Sequence, residues 1–271
     1  MTDQRRPVTV VTGGAGGIGG GIVRRLARRG DLVVANDIDA DALAATVAEV
    51  EQAGGRAVAV PGDITDDAVV ERLAAVVDER GGADHLVNNV GDFRPASRTF
   101  LHSTPDHWQR LYELNLRHMF TVTHALLPAM VERGSGAIVN VSTVEAYRGI
   151  PANAVYAAFK AGVSAFTQSL AVELGGSGIR VNGVAPDLAD TAQTPAAAML
   201  RGRDPDLIRT WLPLGRFGVP DDYARVVEFL LSDAAGFVTG HVIPVDGGTL
   251  AASGWYARAD GKGWTNLPDR A

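Results

Sequence analysis

The sequence predicts an α/β protein in which one domain, residues 1–248, forms a doubly wound, seven-stranded parallel sheet with helices on both faces. Three observations predict it. Strand-like and helix-like segments alternate along the whole chain, the pattern that parallel crossovers require. A glycine-rich turn, Thr12-Gly-Gly-Ala-Gly-Gly-Ile-Gly19, stands between the first apolar run and the first helical pattern. The 271 residues are 46% hydrophobic with no long linker or low-complexity stretch, which suits one packed core.

The first element, Val8-Thr-Val-Val-Thr12, is a β-branched run that reads as a buried strand, and Ile22-Val-Arg-Arg-Leu-Ala follows the glycines at helical spacing. Strand, glycine turn and helix form the phosphate-binding opening of a Rossmann unit, where glycine admits the pyrophosphate and the helix start offers unpaired amides. Gly14, Gly16 and Gly19 fit G-x-G-x-x-G, while Gly13, Gly17 and Gly19 fit the more diagnostic G-x-x-x-G-x-G. Leu32 to Asp37 reads as the second strand, with an acid at its end about 20 residues beyond the glycines. A carboxylate there accepts both ribose hydroxyls of NAD and repels a 2′-phosphate. Ile38 and Ala15 offer that phosphate no cation, so NAD is expected rather than NADP. The competing role for Asp37 is a helix N-cap, a task that Asp39 or Asp41 can also perform.

Further elements are expected as a strand at Arg56–Val60 and a helix at Asp66–Glu79, then a strand at Asp84–Asn88 and a helix opened by Thr104-Pro-Asp. A strand at Ala137–Val141, a helix at Asn153–Leu174, a strand at Ile179–Val184, a helix at Pro220–Leu231 and a last strand at His241–Val245 complete the pattern. Strand ends at Asp63, Asn89, Ser142 and Pro186 then converge on the carboxyl edge of the sheet. Asp187 to about Pro213, rich in Ala, Pro and Asp, breaks the alternation and is expected to be a flap.

Tyr156-Ala-Ala-Phe-Lys160 carries the chemistry. Residues four apart share a helix face, so the ammonium is expected beside the phenol, favouring the phenolate and bringing a general base toward working pH. Of 25 basic residues only Lys160 and Lys262 are lysines. The net charge of −6 and pI near 5.5 imply no face for nucleic acid. There is no cysteine, and His85, His102, His107, His118, His124 and His241 form no H-E-x-x-H or comparable motif, so no metal is expected. The cluster Arg24, Arg25, Arg28 and Arg29 reads as a solvated helix face. With no apolar targeting or spanning segment, the expectation is a cytoplasmic protein.

In this order and register the chain resembles the short-chain dehydrogenase/reductase family in its typical NAD(P)-dependent form, over roughly residues 7 to 248. The resemblance rests on Thr12-Gly-x-x-x-Gly-Ile-Gly19, Asp63-Ile64, Asn88-Asn-Val-Gly91, Asn115, Ser142, Tyr156-x-x-x-Lys160, Asn182-Gly-Val-Ala-Pro186 and Val245-Asp-Gly-Gly248. It implies Tyr156 as general acid or base, Ser142 holding the substrate oxygen, Lys160 lowering the tyrosine pKa and gripping the nicotinamide ribose, and Asn115 supporting a water chain. It also implies a cofactor site of Gly13, Gly16, Gly17, Ile18, Gly19, Asp37, Asp63, Ile64, Asn89, Gly91, Tyr156, Lys160, Pro186 and Thr191. Two departures stand out: Val90 where the family has alanine, and Asp187 where glycine usually follows the proline.

The family's pocket loops supply Phe93, Arg94, Val144, Glu145, Tyr147, Leu188, Met199, Leu200, Trp211 and Leu212 here. That mostly apolar set suits a bulky hydrophobic or alicyclic secondary alcohol or ketone of terpenoid, steroid or polyketide-like form, with Glu145 or Arg94 meeting a second polar group. The alternative is an NADPH-dependent 3-oxoacyl or polyketide ketoreductase, against which Asp37 argues. A dinucleotide-binding sensor is the alternative of another class, and it has no need of the tyrosine and serine. Trp255, Tyr256 and Trp264 in the segment 249–271 are expected to pack over the pocket or on a neighbouring subunit. The resemblance implies a homotetramer built on two long helices, here near Thr104–Arg133 and Asn153–Leu174.

Overall fold

In a computed structural model, residues 5–94, 97–254, 256–258 and 264–265 are described. All seven expected strands form: β1 (Val8–Thr12), β2 (Leu32–Asp37), β3 (Arg56–Pro61), β4 (His85–Asn88), β5 (Gly136–Val141), β6 (Ile179–Pro186) and β7 (Val242–Val245). They make one parallel sheet in the order β3-β2-β1-β4-β5-β6-β7. The chain reverses its direction of travel across the sheet between β1 and β4, so the loops after these strands diverge and open a crevice.

Side-chain alternation divides each strand between two cores. Val10, Val34, Leu86, Ile138 and Val181 face α3 (Asp67–Asp78), α5 (His118–Arg133) and α6 (Ala154–Leu174). Val11, Val33, Val87, Val139 and Val184 face α1 (Gly17–Arg29), α2 (Ala40–Gln52) and α9 (Pro220–Leu231). Between β4 and β5 the buried Asn88 donates to Asn140 and Thr123 at 2.9 and 3.1 Å, and Asn140 donates to Thr167.

The expected long helix at 104–133 is interrupted. Thr104 and His107 cap α4 (Pro105–Tyr112), a π-helical turn follows at Glu113–Arg117, and only then does α5 begin. Such a turn widens the backbone locally, and Asn115 fills the gap by donating to the carbonyls of Leu111 and Asp92. The 187–213 segment contains two short helices, α7 (Ala196–Leu200) and α8 (Ile208–Trp211). Beyond the sheet, β8 (Tyr256–Ala257) pairs with β9 (Trp264–Thr265) and runs beside α8. The expectations for Trp255 and for the Trp264 side chain fall outside the described residues; Tyr256 is exposed.

Candidate active site

Helix α1 starts at Gly17 with Gly16 as an extended N-cap, no side-chain cap and no acid in its first turn, so its leading amides face the crevice unmet. Gly13 and Gly17 adopt left-handed backbone, with φ of 67° and 52°. A Cβ on Gly19 would overlap the Gly13 carbonyl, whereas Gly16 has open space around it and Ile18 packs on the second core. Thr191 lies opposite Gly17, 3.5 Å from where a Cβ would sit. A shelf of helix-start amides closed to a side chain at Gly19 is what a pyrophosphate needs, so these residues fit a dinucleotide.

The residues around this shelf hold it in shape. Asn89 donates its side-chain amide to the carbonyls of Thr12 and Gly13 at 3.0 and 3.1 Å. Asp37 accepts from the Ala15 amide at 2.9 Å, and Asp39, rather than Asp37, caps α2. Asp63 accepts from the amide and hydroxyl of Thr65. The Ile64 side chain is in the core, leaving only its backbone to meet a ligand.

Tyr156 stands at the start of α6, its ring edge-on to Phe93 with centroids 5.8 Å apart. Burial pushes its phenol well above the ordinary tyrosine range, the carboxylates of Glu145 and Asp92 push it the same way, and a hydrogen bond with Thr143 opposes them. Lys160 does not act as expected on this phenol. Its chain runs inward, Nζ donates to the Val141 carbonyl at 3.0 Å, and burial lowers the amine to about 8. Residues four apart share a face, but here one leans outward to Phe93 and the other beneath the loop after β4. That loop comes close: a Cβ on Gly91 would lie 2.7 Å from Lys160 Nζ and 3.0 Å from Asn115 Oδ1.

Ser142 is also placed differently from expectation. Its hydroxyl donates to the Lys160 carbonyl at 3.0 Å and lies 3.3 Å from Ser164, which in turn meets the Tyr147 hydroxyl at 3.0 Å. The hydroxyl beside Tyr156 belongs to Thr143. Asn140 and Ser142 both turn into the body of α6, bonding Thr167 and the Lys160 carbonyl, and the next hydroxyl along the chain is the one at the tyrosine.

Charged side chains on two loops join this end to the 187–213 segment. Arg94 pairs with Asp92 and reaches the Gln193 carbonyl. Arg148 bridges Glu145 at 3.0 Å and Asp187 at 2.8 Å, and Asp187 also accepts from Thr249. The unusual Asp187 avoids left-handed backbone; Leu188 takes it instead, with φ of 43°. Pro186 ends β6 and its carbonyl accepts from Thr143 at 3.4 Å. Leu188 and Trp211 are half-buried, Tyr147 is exposed, and Val144 and Leu212, expected as pocket lining, are core residues. Among the described residues no cluster of His, Asp and Glu is arranged for a metal, and no helix is long and apolar enough to cross a membrane.

A phosphate shelf at the switch point of a parallel sheet, with a tyrosine and a buried lysine beside it, defines a nicotinamide-dinucleotide-dependent oxidoreductase. A family model described as enoyl-(acyl carrier protein) reductase matches residues 13–249. The 3-oxoacyl-[acyl-carrier-protein] reductase FabG of Thermotoga maritima is 39% identical over 244 residues, 90% of this chain and 97% of the relative. Cis-4-hydroxycyclohexanecarboxylate dehydrogenase of Sinomonas cyclohexanicum is 40% identical over 249 residues, 90% of this chain and 96% of the relative. A crystal structure of a 3-oxoacyl-[acyl-carrier protein] reductase with bound NAD from Brucella melitensis superposes with a TM-score of 0.80 at 33% identity, covering 91% of this chain and 92% of that one. The chain belongs to the short-chain dehydrogenase/reductase family.

Proposed function

We propose that the protein reduces the carbonyl of a 3-oxoacyl thioester or a similar ketone to a secondary alcohol. The observation that carries this reading is Tyr156 itself, half-buried at the start of α6 with its ring edge-on to Phe93 and Thr143 acting on its phenol. A phenol carries its proton at working pH, which lets it act as the acid that protonates a developing alkoxide. In this reading the Thr143 and Tyr156 hydroxyls hold the carbonyl oxygen, and Tyr156 gives it the proton. Lys160 and Asn115 sit beneath Gly91, where they support the ribose and the path by which the phenol recovers its proton. A nicotinamide cofactor bound on the shelf would supply the hydride. Gly13, Gly17 and Gly19 admit the pyrophosphate, Asp37 takes the ribose hydroxyls, and Asp63, the Ile64 backbone, Asn89 and Gly91 line the adenosine side. Thr191 and Pro186 close the nicotinamide end.

The relatives that act on 3-oxoacyl and acetoacetyl thioesters support this substrate class over a terpenoid or steroid. A second reading, NAD-dependent oxidation of a ring alcohol, is favoured by Asp37 and by the hydroxycyclohexanecarboxylate relative. Asp37 supports NAD(H) over NADP(H) in either reading. A cytoplasmic homotetramer remains part of the proposal. Nicotinamide absorbance with both cofactors against acetoacetyl-CoA and alicyclic ketones and alcohols, with Tyr156→Phe as control, tests it. Tyr156-dependent turnover of the thioester is expected. Turnover confined to ring alcohols selects the second reading, and none on either class overturns both.

A further inference from the structure

Two carboxylates act on the Tyr156 phenol, Asp92 from the loop after β4 and Glu145 from the loop after β5, and each has an arginine partner. Asp92 is fully engaged, since Arg94 donates to both of its oxygens and spends its remaining reach on the Gln193 carbonyl. Arg148 divides itself between Glu145 and Asp187. Asp187 is engaged on both oxygens too, Oδ1 by the Leu188 amide and Oδ2 by Arg148 and Thr249.

Glu145 differs from both. Its Oε1 takes Arg148 at 3.0 Å, while its Oε2 accepts no hydrogen bond among the described residues. The side chain is only 15% exposed, yet Oε2 is not sealed in the interior, so a ligand can reach it. A carboxylate has room for about four donors, and a mostly buried one with a single donor is short of partners. Its position is set from the reacting end. Glu145 lies in the short turn Val144–Ala146, its amide donates to the Thr143 hydroxyl at 3.3 Å, and that same hydroxyl acts on the Tyr156 phenol.

We infer that Glu145 is a specificity-determining residue whose Oε2 accepts a hydrogen bond from a hydroxyl that the substrate bears near its reacting carbon. The inference rests on the oxidoreductase reading, in which Tyr156 marks that carbon, and it narrows the ketone to a hydroxyketone. Arg148 already faces Glu145, so what Oε2 lacks is a hydrogen rather than a counter-ion. A hydroxyl supplies that hydrogen in place of water, whereas a substrate carboxylate at the same point would meet like charge.

The test compares matched ketones by kcat/KM: 2-hydroxycyclohexanone with 2-methoxycyclohexanone, and 4-hydroxyacetoacetyl-CoA with acetoacetyl-CoA. A hydrogen bond to a charged group of the usual strength predicts a preference of about 10- to 100-fold for the hydroxyl-bearing member of at least one pair. Glu145→Ala removes that preference, and Glu145→Gln, which keeps an oxygen at the same reach without the charge, retains part of it. Equal use of both members in both pairs, or a preference that survives Glu145→Ala, overturns the role of Glu145 and leaves the oxidoreductase reading intact. Calorimetric titration with trans-1,2-cyclohexanediol and with trans-2-methoxycyclohexanol reads the contact without turnover. Tighter binding of the diol that weakens at least tenfold in Glu145→Ala upholds the contact even if no ketone reacts. Binding that is equal, absent or indifferent to Glu145→Ala, with no turnover, ends it.

Discussion

Tyr156 and Thr143 are the residues whose replacement separates chemistry from folding. Tyr156→Phe keeps the ring against Phe93 and removes the proton, so kcat is expected to fall about 10²- to 10⁴-fold with NADH affinity, read by fluorescence titration, unchanged. Thr143→Val keeps the shape and removes the hydroxyl beside the phenol, and it too should depress kcat. Ser142→Ala should spare kcat and instead lower stability by about 1 kcal/mol, through lost bonds to the Lys160 carbonyl and Ser164. A larger loss of kcat in Ser142→Ala than in Thr143→Val would return the serine to the site. His118 gives a pH signature. Burial first, and Lys160 second, lower its imidazole to about 3, against the opposing pull of the Val90 and Leu114 carbonyls and Asp63. The folded chain therefore refuses a proton that the unfolded chain takes near pH 6.5, and stability present above that pH is lost as pH falls, by on the order of 1 kcal/mol per pH unit. Urea unfolding of His118→Asn between pH 7 and 5 should show a shallower decline than the wild type. The shared helix of Tyr156 and Lys160 was legible from their spacing, though not the inward course of the lysine, and the glycine turn was legible from its place after a strand. Thr143 was not, because two hydroxyls stand side by side after β5 and only the fold decides which one meets the phenol.

The strands and helices were legible almost throughout, since apolar period and cap residues report burial directly; Pro220–Leu231 forms with the expected bounds. The π-helical turn at Glu113–Arg117 was hidden, because its cause is a tertiary bond from Asn115 to the Asp92 backbone rather than a local preference. Gly19 tests the crevice at this scale. A methyl there has no room against the Gly13 carbonyl, so Gly19→Ala should weaken NADH binding at least tenfold, whereas Gly16→Ala, in open space, should cost far less. Equal losses at the two positions would remove the steric account of the shelf.

For the molecule as a whole, the departures from the family pattern become intelligible as connections. Asp187 replaces a glycine and receives Arg148 from the loop after β5, Thr249 from beyond β7 and, through its carbonyl, the Tyr223 hydroxyl from α9. Asp187→Ala should lower stability by about 1–3 kcal/mol and hasten proteolysis within 187–213, measured by thermal unfolding and limited digestion. Unchanged digestion would show that the segment is held by other contacts. These partners are distributed over a hundred residues of sequence, from 148 to 249, and that spread has a consequence in time. A chain emerging from the ribosome can fold its glycine turn early, and its tyrosine helix follows, yet the knot at Asp187 stays open until residue 249 is free. A translation product truncated before residue 249 would therefore lack the Thr249 tie on Asp187 and hold its 187–213 segment by fewer contacts.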